Sequence, residues 1–449
     1  MKTGFGRSIT AASACMPVLA LVLATGLCAP PNAVADEAFA KERFKEMSDY
    51  LAAESAISFV YDVNLEVVNY AEKHTKLVPQ LVAAKGSYSA LVVDFYWVGE
   101  FSKAGWLMPL SYRGVIDEVR QVRRRAGVFD ISHLGRIRIR GDGAPDLLEH
   151  LCTADVIHQE DDTVLRTLLC NDQGGIIDDC LLVRAEGFWL LTTSAICREK
   201  VLRHVQAAAA DFDVKIDDQT QRTSQFAVTG PAAAGILDAV LPQKPSAMKP
   251  GEVKVGSLMI ARYIAMRTGY SGQWGLEVVV PNMVAAEAWR FITEKAGENC
   301  IAPAGLAARD VLRIEAGLPR YGHELNETVD PVTAGLQDKL DFEHDFLGRE
   351  ALLKKTQGRP KRVLVGLSLE TPTGRDDAAA IPKLGSAVST PDGNEVAAVT
   401  SGTFSPTLEK VIAMAYVARS AAGADTELLV DVAGFRRPAV VSRLPFARP

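Results

Sequence analysis

None of the seven cysteines (Cys15, Cys28, Cys152, Cys170, Cys180, Cys197 and Cys300) forms a CxxC pair. A zinc ribbon or a redox dithiol needs that spacing, so no metal site is expected. The scattered, unpaired pattern beyond residue 35 instead fits a reducing compartment, with Cys170 and Cys180 as buried thiols flanking a hairpin. Glycine-rich phosphate loops and the dinucleotide fingerprint are also missing, which removes ATP and NAD from the expected cofactors. Basic charge is not in excess. The formal net charge of −6 argues against nucleic acid as a partner. The apolar run at residues 16–27 falls short of the ~20 residues that span a bilayer, so no stable membrane span is expected.

What is present is a chain of 449 residues, 48% apolar and 23% charged, enough for two or three domains with cores. Its one dense basic run, Arg120 to Arg125, carries Val115, Val119, Val122 and Ala126 at helical spacing. It reads as the solvated face of an amphipathic helix.

The N-terminus disagrees with the cysteine pattern. Lys2 and Arg7 precede the apolar run, and Ala33-Val34-Ala35 offers a small-residue cleavage site. Residues 1–35 therefore read as an export signal peptide. In residues 36–68, Phe39, Phe44, Met47 and Leu51 give a helical stripe, and Phe59 to Val67 alternate as a strand. This piece resembles the opening of an exported bacterial domain of the lipoprotein-carrier type. One helix and one strand cannot bury a core alone, so residues 36–98 are expected to form a stub and linker.

The main body mixes strands and helices without regular alternation, which favours α+β over a doubly wound sheet. Helices are expected at 114–125, 144–152, 195–211, 232–240, 283–296 and 303–316. Strands are expected at 135–141, 164–170, 180–183 and 188–193, and residues 251–281 are strand-rich. From Arg362 onward short strands with Gly/Pro turns suggest a small barrel or sandwich. The expected boundaries are 99–355 for a catalytic region and 356–449 for a β domain.

The most informative segment is Asn171-Asp172-Gln173-Gly174-Gly175-Ile176-Ile177-Asp178-Asp179. Gly174-Gly175 is a hairpin signal, and the two acids sit where the returning strand begins. Strand neighbours point to opposite faces, so one carboxylate can enter a cavity while the other cannot. The local pattern alone also allows both to be turn residues.

Other segments follow in order: Val128-Phe129-Asp130-Ile131-Ser132-His133, Arg267-Thr268-Gly269-Tyr270-Ser271-Gly272 with Gly275-Leu276-Glu277, Pro303 to Asp310, Arg313 to Pro319, Tyr321-Gly322-His323, Asp345 to Leu352 and Thr400 to Thr407. The ordered set over residues 100–449 resembles the aminomethyltransferase (T-protein) family of the glycine cleavage system. The resemblance implies three domains in a cloverleaf around a central folate cavity, with a C-terminal barrel-like domain. It implies an aminomethyltransferase, a one-carbon transferase. That enzyme moves the methylene carbon from aminomethyl-lipoyl H-protein to tetrahydrofolate and releases ammonia.

On this resemblance Asp179 is the catalytic carboxylate and Glu277 the pterin-binding glutamate. Tyr270, Arg309, Arg267, His133 and Leu134 are expected to line the folate slot. Arg309 either clamps a folate carboxylate, holds a catalytic acid, or forms a helix ion pair with its neighbours. Tyr321 and His323 match without a clear role, and Asp178 is read as structural.

Several positions depart from the family pattern. Arg166 stands where an aromatic residue is usual, and Leu134 replaces a methionine. Ser194 and Cys197 stand where asparagines are usual, Gln273-Trp274 replaces an acidic pair, and Gln337-Asp338-Lys339 replaces a segment that often holds a tryptophan. These changes leave folate binding expected and open a second reading. In it a tetrahydrofolate-dependent demethylase acts on a small methylated amine, ether or sulfonium compound. A third reading, a noncatalytic folate-binding protein, is opposed by the enzyme-like Asp345-Phe346-Leu347-Gly348-Arg349-Glu350. Folate chemistry favours the cytoplasm, against the export signal of residues 1–35. A fusion or mis-set start that leaves the enzyme unexported reconciles the two, and a periplasmic enzyme is the alternative.

Overall fold

Alternating apolar strands build two open sheets and one closed barrel. The computed structural model describes residues 110–239, 241, 244–258, 261–295, 301–370 and 380–447. All of these belong to one unit, Asn69–Pro449. The expected signal segment 1–35, the stub 36–98 and Cys15, Cys28 and Cys300 lie outside the described residues.

The first sheet opens with β1 (Gly127–Asp130) and resumes much later with β7 (Thr223–Thr229), β8 (Val253–Leu258), β9 (Ala261–Met266), β10 (Gly275–Pro281) and β11 (Ala302–Pro303), in the order β11-β1-β7-β10-β9-β8. Between β1 and β7 the chain builds a second sheet from β2 (Gly135–Arg140), β3 (Thr163–Cys170), β4 (Ile176–Ala185), β5 (Phe188–Thr193) and β6 (Lys215–Asp218), in the order β3-β4-β5-β2-β6. Inward-facing side chains of both sheets share one apolar layer. Val164, Val183 and Leu190 of the second sheet meet Val253, Met266 and Val279 of the first. Burying one such side chain stabilises the fold by about 1.5–3 kcal/mol.

Helices cover the rest of the sheet surfaces. α1 (Val115–Arg124) has Asp117 and Glu118 in its first turn and Arg123 and Arg124 in its last, which suits the helix dipole. α2 (Ala144–Leu151) and α3 (Arg198–Ala208) pack Leu147, Leu148, Leu151, Val201 and Val205 on the second sheet. α4 (Ala233–Asp238) and α5 (Asn282–Arg290) cover one face of the first sheet. On its other face α1 meets α6 (Leu306–Glu315), with Val119, Val122, Ala308, Val311 and Leu312 around Phe129. The buried Glu118 accepts the N–H of Arg113 at 2.7 Å and of Gly305 at 2.8 Å, tying both helix starts together.

The C-terminal pattern closes into a six-stranded barrel. β12 (Arg362–Leu369), β13 (Ala387–Ser389), β14 (Glu395–Ser405), β15 (Lys410–Ala418), β16 (Glu427–Val432) and β17 (Phe435–Ser442) run in the order β12-β15-β14-β13-β16-β17. Closure removes free strand edges. Ile314 of α6 packs on Ile412 and Met414 of β15 and joins the barrel to the sheets.

Three expectations change. The basic run is not solvated throughout. Arg124 and Arg125 are exposed, but Arg123 turns inward and donates to Glu315 at 2.9 Å and to the Ser271 carbonyl at 2.9 Å. The helix expected at 195–211 keeps only α3 as α-helix, with 3-10 turns at Ala195–Cys197 and Ala209–Asp211. α7 (Arg349–Thr356) was not expected, because it fully buries only Leu352 and shows no stripe. Among the described residues no helix is long and apolar enough to cross a membrane. Cys152, Cys170, Cys180 and Cys197 are buried free thiols.

Candidate active site

The hairpin between β3 and β4 is set by Asn171, whose Oδ1 accepts the N–H of Gln173 at 3.0 Å and of Gly175 at 2.8 Å. Gly174 takes φ +75°, and a Cβ on Gly175 would lie 1.8 Å from the Glu327 carbonyl oxygen. Only glycine meets both demands. A bulge follows, since Leu169 pairs with Asp178 but Cys170 pairs with Ile176. The extra residue fixes which face each acid takes. Asp178 joins the helix-covered face with Cys180 and Leu182, and Asp179 joins the inter-sheet face with Leu181 and Val183.

The two acids therefore differ. Asp178 is fully buried. Its Oδ2 accepts the Ser194 N–H at 2.8 Å and faces Cys180 Sγ at 3.5 Å, while Oδ1 has no partner. Burial pushes its carboxyl up to about 6. Asp179 keeps 12% of its side chain exposed and is gripped by Arg166 through two parallel hydrogen bonds. One of these runs from Nε to Oδ1 at 2.7 Å. Burial works against the Arg166 charge, but Asp179, Tyr270 and Asp338 outweigh it and raise the guanidinium pKa.

Glu277 lies on β10 between Ala227 of β7 and Met266 of β9. It shares the inter-sheet face with Val279 and is 3% exposed. Gln225 Nε2 donates to its Oε2 at 2.8 Å. Burial raises its carboxyl pKa, and the positive charge of Arg309 opposes that rise. Arg309 projects from α6 with its guanidinium 4.6 Å from the Tyr270 ring centre. The Tyr270 hydroxyl donates to the Pro319 carbonyl at 2.8 Å. Tyr270 lies within electrostatic reach of Arg313, Arg309, Asp179 and Arg166. A small cavity of about 10 Å³ lies here, lined in part by Phe129, Thr229, Tyr270, Ser271 and Arg309.

Four of the residues expected from sequence thus form one connected group: Asp179, Tyr270, Arg309 and Glu277. Arg267 and Leu134 make contacts of their own. Arg267 donates to the Gly275 carbonyl at 3.0 Å and lies 4.5 Å from the Trp274 ring centre, bridging the ends of its own loop. Leu134 packs with the cluster around Phe129, and His133 is half-buried in the same turn. The helix ion pair belongs to Arg313 rather than Arg309. Arg313 contacts Asp310 at 2.8 Å and Glu324 at 2.8 Å. Tyr321 Oη accepts from Lys200 at 2.6 Å, and His323 Nδ1 lies 3.0 Å from the Thr400 carbonyl. Sequence reasoning noticed Arg166 only as an oddity and missed Gln225. A bulge sets the register that brings Arg166 to Asp179, and nothing in the sequence marks that bulge or Gln225.

The chain is similar to known proteins over most of its length. Residues 98–344 match the GCVT N-terminal domain, and residues 362–447 match the glycine cleavage T-protein C-terminal barrel domain. An aminomethyltransferase of Caldanaerobacter subterraneus subsp. tengcongensis is 36% identical over 74% of this chain and 85% of its own. One from Chlorobium luteolum is 35% identical over 80% of this chain and 95% of its own. The crystal structure of glycine cleavage system aminomethyltransferase T from Bartonella henselae superposes with a TM-score of 0.70 at 28% identity. That match covers 83% of this chain and 96% of the other. The chain belongs to the aminomethyltransferase family, the glycine cleavage T-proteins.

Proposed function

We propose that this enzyme transfers the methylene carbon of an aminomethyl group, carried on the lipoyl arm of an H-protein, to tetrahydrofolate. Ammonia leaves, and methylenetetrahydrofolate and dihydrolipoyl H-protein result. The observation that carries the reading is that two inward carboxylates, Asp179 and Glu277, lie within electrostatic reach of the same Tyr270–Arg309 pair, Asp179 of the tyrosine and Glu277 of the arginine.

The residues fit a folate. A pterin presents two parallel N–H donors, and a buried carboxylate such as Glu277 accepts both while fixing their direction. Beside it Gln225 Oε1 is buried without a partner, a further acceptor for a ring N–H. Tyr270 and Arg309 supply a flat wall. Asp179 then accepts the hydrogen bond of the attacking folate amine and takes its proton as the carbon–nitrogen bond forms. Its charge also stabilises positive charge on the carbon in transit. The apolar layer between the sheets would keep water from that carbon. Arg166 and Asp338 near Asp179 favour a second reading, a small methylated donor in place of the lipoyl arm.

The test measures ammonia release and methylenetetrahydrofolate formation by the full chain, with aminomethyl-lipoyl H-protein and tetrahydrofolate. Turnover is expected, and Asp179→Ala should lower it by about 100-fold or more. Tight tetrahydrofolate binding without turnover rejects this donor and turns the search to small methylated compounds.

A further inference from the structure

Arg166 and Asp179 lie on neighbouring strands of the inter-sheet face, not on the outer surface. Their side chains are 24% and 12% exposed. Arg166 pairs with Leu181 and Leu168 with Asp179, so the two charged residues meet diagonally on one face. The guanidinium takes both carboxylate oxygens through Nε and Nη2. A fork gripping a fork fixes the plane of the carboxylate as well as its position. An ammonium, a single point charge, cannot do the same. The grip uses one site on each oxygen, and a carboxylate has about four lone-pair sites in all. The remainder stay available to a donor entering from the Tyr270 side.

Asp338 adds a second charge. It belongs to the turn Gln337–Lys339 and acts electrostatically on Arg166. The guanidinium thus feels negative charge from Asp338 as well as from Asp179.

We infer that Arg166 is a positioning residue: it holds the Asp179 carboxylate in the one orientation that receives the folate amine. The inference rests on the proposed function, because that reading gives Asp179 its contact with folate. It separates Arg166 from a merely structural ion pair. Loss of a structural pair lowers the folding midpoint. Loss of a positioning pair lowers turnover of folded enzyme, because an ångström of misplacement at a reacting group is costly.

The experiment is a double-mutant cycle in the full chain, using Arg166→Gln, Asp179→Asn and both together, with Arg166→Lys beside them. Initial rates are measured with aminomethyl-lipoyl H-protein, and tetrahydrofolate dissociation constants by intrinsic fluorescence. Arg166→Gln should lower kcat roughly 10- to 100-fold while KM for folate rises less than about threefold. Arg166→Lys should recover little of the loss. In the Asp179→Asn background, Arg166→Gln should cost nothing more, in either rate or folate binding. An equal loss with Asp179 already removed overturns the inference. So does a loss confined to KM, or full recovery by lysine. If the wild type binds folate but turns over no H-protein, the proposed function fails alone. The binding cycle then decides the inference: Arg166→Gln weakens folate binding only while Asp179 is present, and additive weakening overturns it.

Discussion

Asp178 and Asp179 are chain neighbours with opposite surroundings, and that contrast has a thermodynamic signature. The Asp178 carboxyl ionises near 3.8 in an unfolded chain and at about 6 in the folded one, because burial opposes its charge. Below pH 4 both states hold the proton. Between pH 4 and 6 the unfolded chain releases it and the folded chain does not. Stability contributed by Asp178 is therefore present at low pH and lost as pH rises toward 6, by about 2–3 kcal/mol. Urea unfolding of wild type and Asp178→Asn across pH 4–7 checks this. The gap between the curves should move in the variant's favour as pH rises, and a constant gap contradicts the assignment. At this scale the sequence was readable where strand parity applies. The paired acids had to face apart, and they do. The Arg166–Asp179 pair was not readable, because a bulge shifts the register that decides who meets whom. Arg267 and Tyr270 stand three residues apart in one segment, yet Arg267 lies on Trp274 and Tyr270 against Arg309. No local pattern distinguishes those destinations.

Among the elements, the β3–β4 hairpin depends most on its sequence. Gly175 touches the backbone of the loop at 326–329, where Ile176 N–H also donates to the Val329 carbonyl at 2.9 Å. Gly175→Ala would drive that loop outward. It should destabilise the protein by about 1–3 kcal/mol, seen as a lower thermal midpoint. An unchanged midpoint would show that the loop yields freely. Elements with a clear apolar pattern were legible: α1, α2, β5 and α6 fall within a few residues of expectation. Short ones were not. Four-residue β1 and the weakly patterned α7 carry too few periodic positions to reveal themselves.

Across the whole molecule, α6 acts as the joint between the sheets and the barrel. Fully buried Arg313 bonds Glu324 Oε2 at 2.8 Å and Ser401 Oγ of β14 at 2.7 Å. Ser401 in turn donates to Glu324 Oε1 at 2.6 Å. Arg313→Ala would strand a carboxylate in the interior and should cost about 3–5 kcal/mol in urea unfolding. Replacing the pair together, as Arg313→Met with Glu324→Leu, should cost clearly less. Equal costs would mean that the charges contribute nothing through each other. The barrel was legible as a run of short strands after Arg362. Its attachment was not, because Ser401 stands 88 residues beyond Arg313 and no periodicity links them.

The order in which the two sheets are threaded also bears on how the chain is made. β1 pairs with β7 from Gly127 opposite Thr229, so its partner emerges from the ribosome about a hundred residues later. At cellular elongation speeds that is a wait of roughly 5–20 s. Meanwhile the whole second sheet, with α2 and α3, becomes available and can settle first. The first sheet then assembles around a finished neighbour, while Val128 and Phe129 of the lone opening strand stay bare until β7 arrives. A nascent chain in that condition suits a holding chaperone, and the exposure falls in steps as β7 and then β11 and α6 arrive.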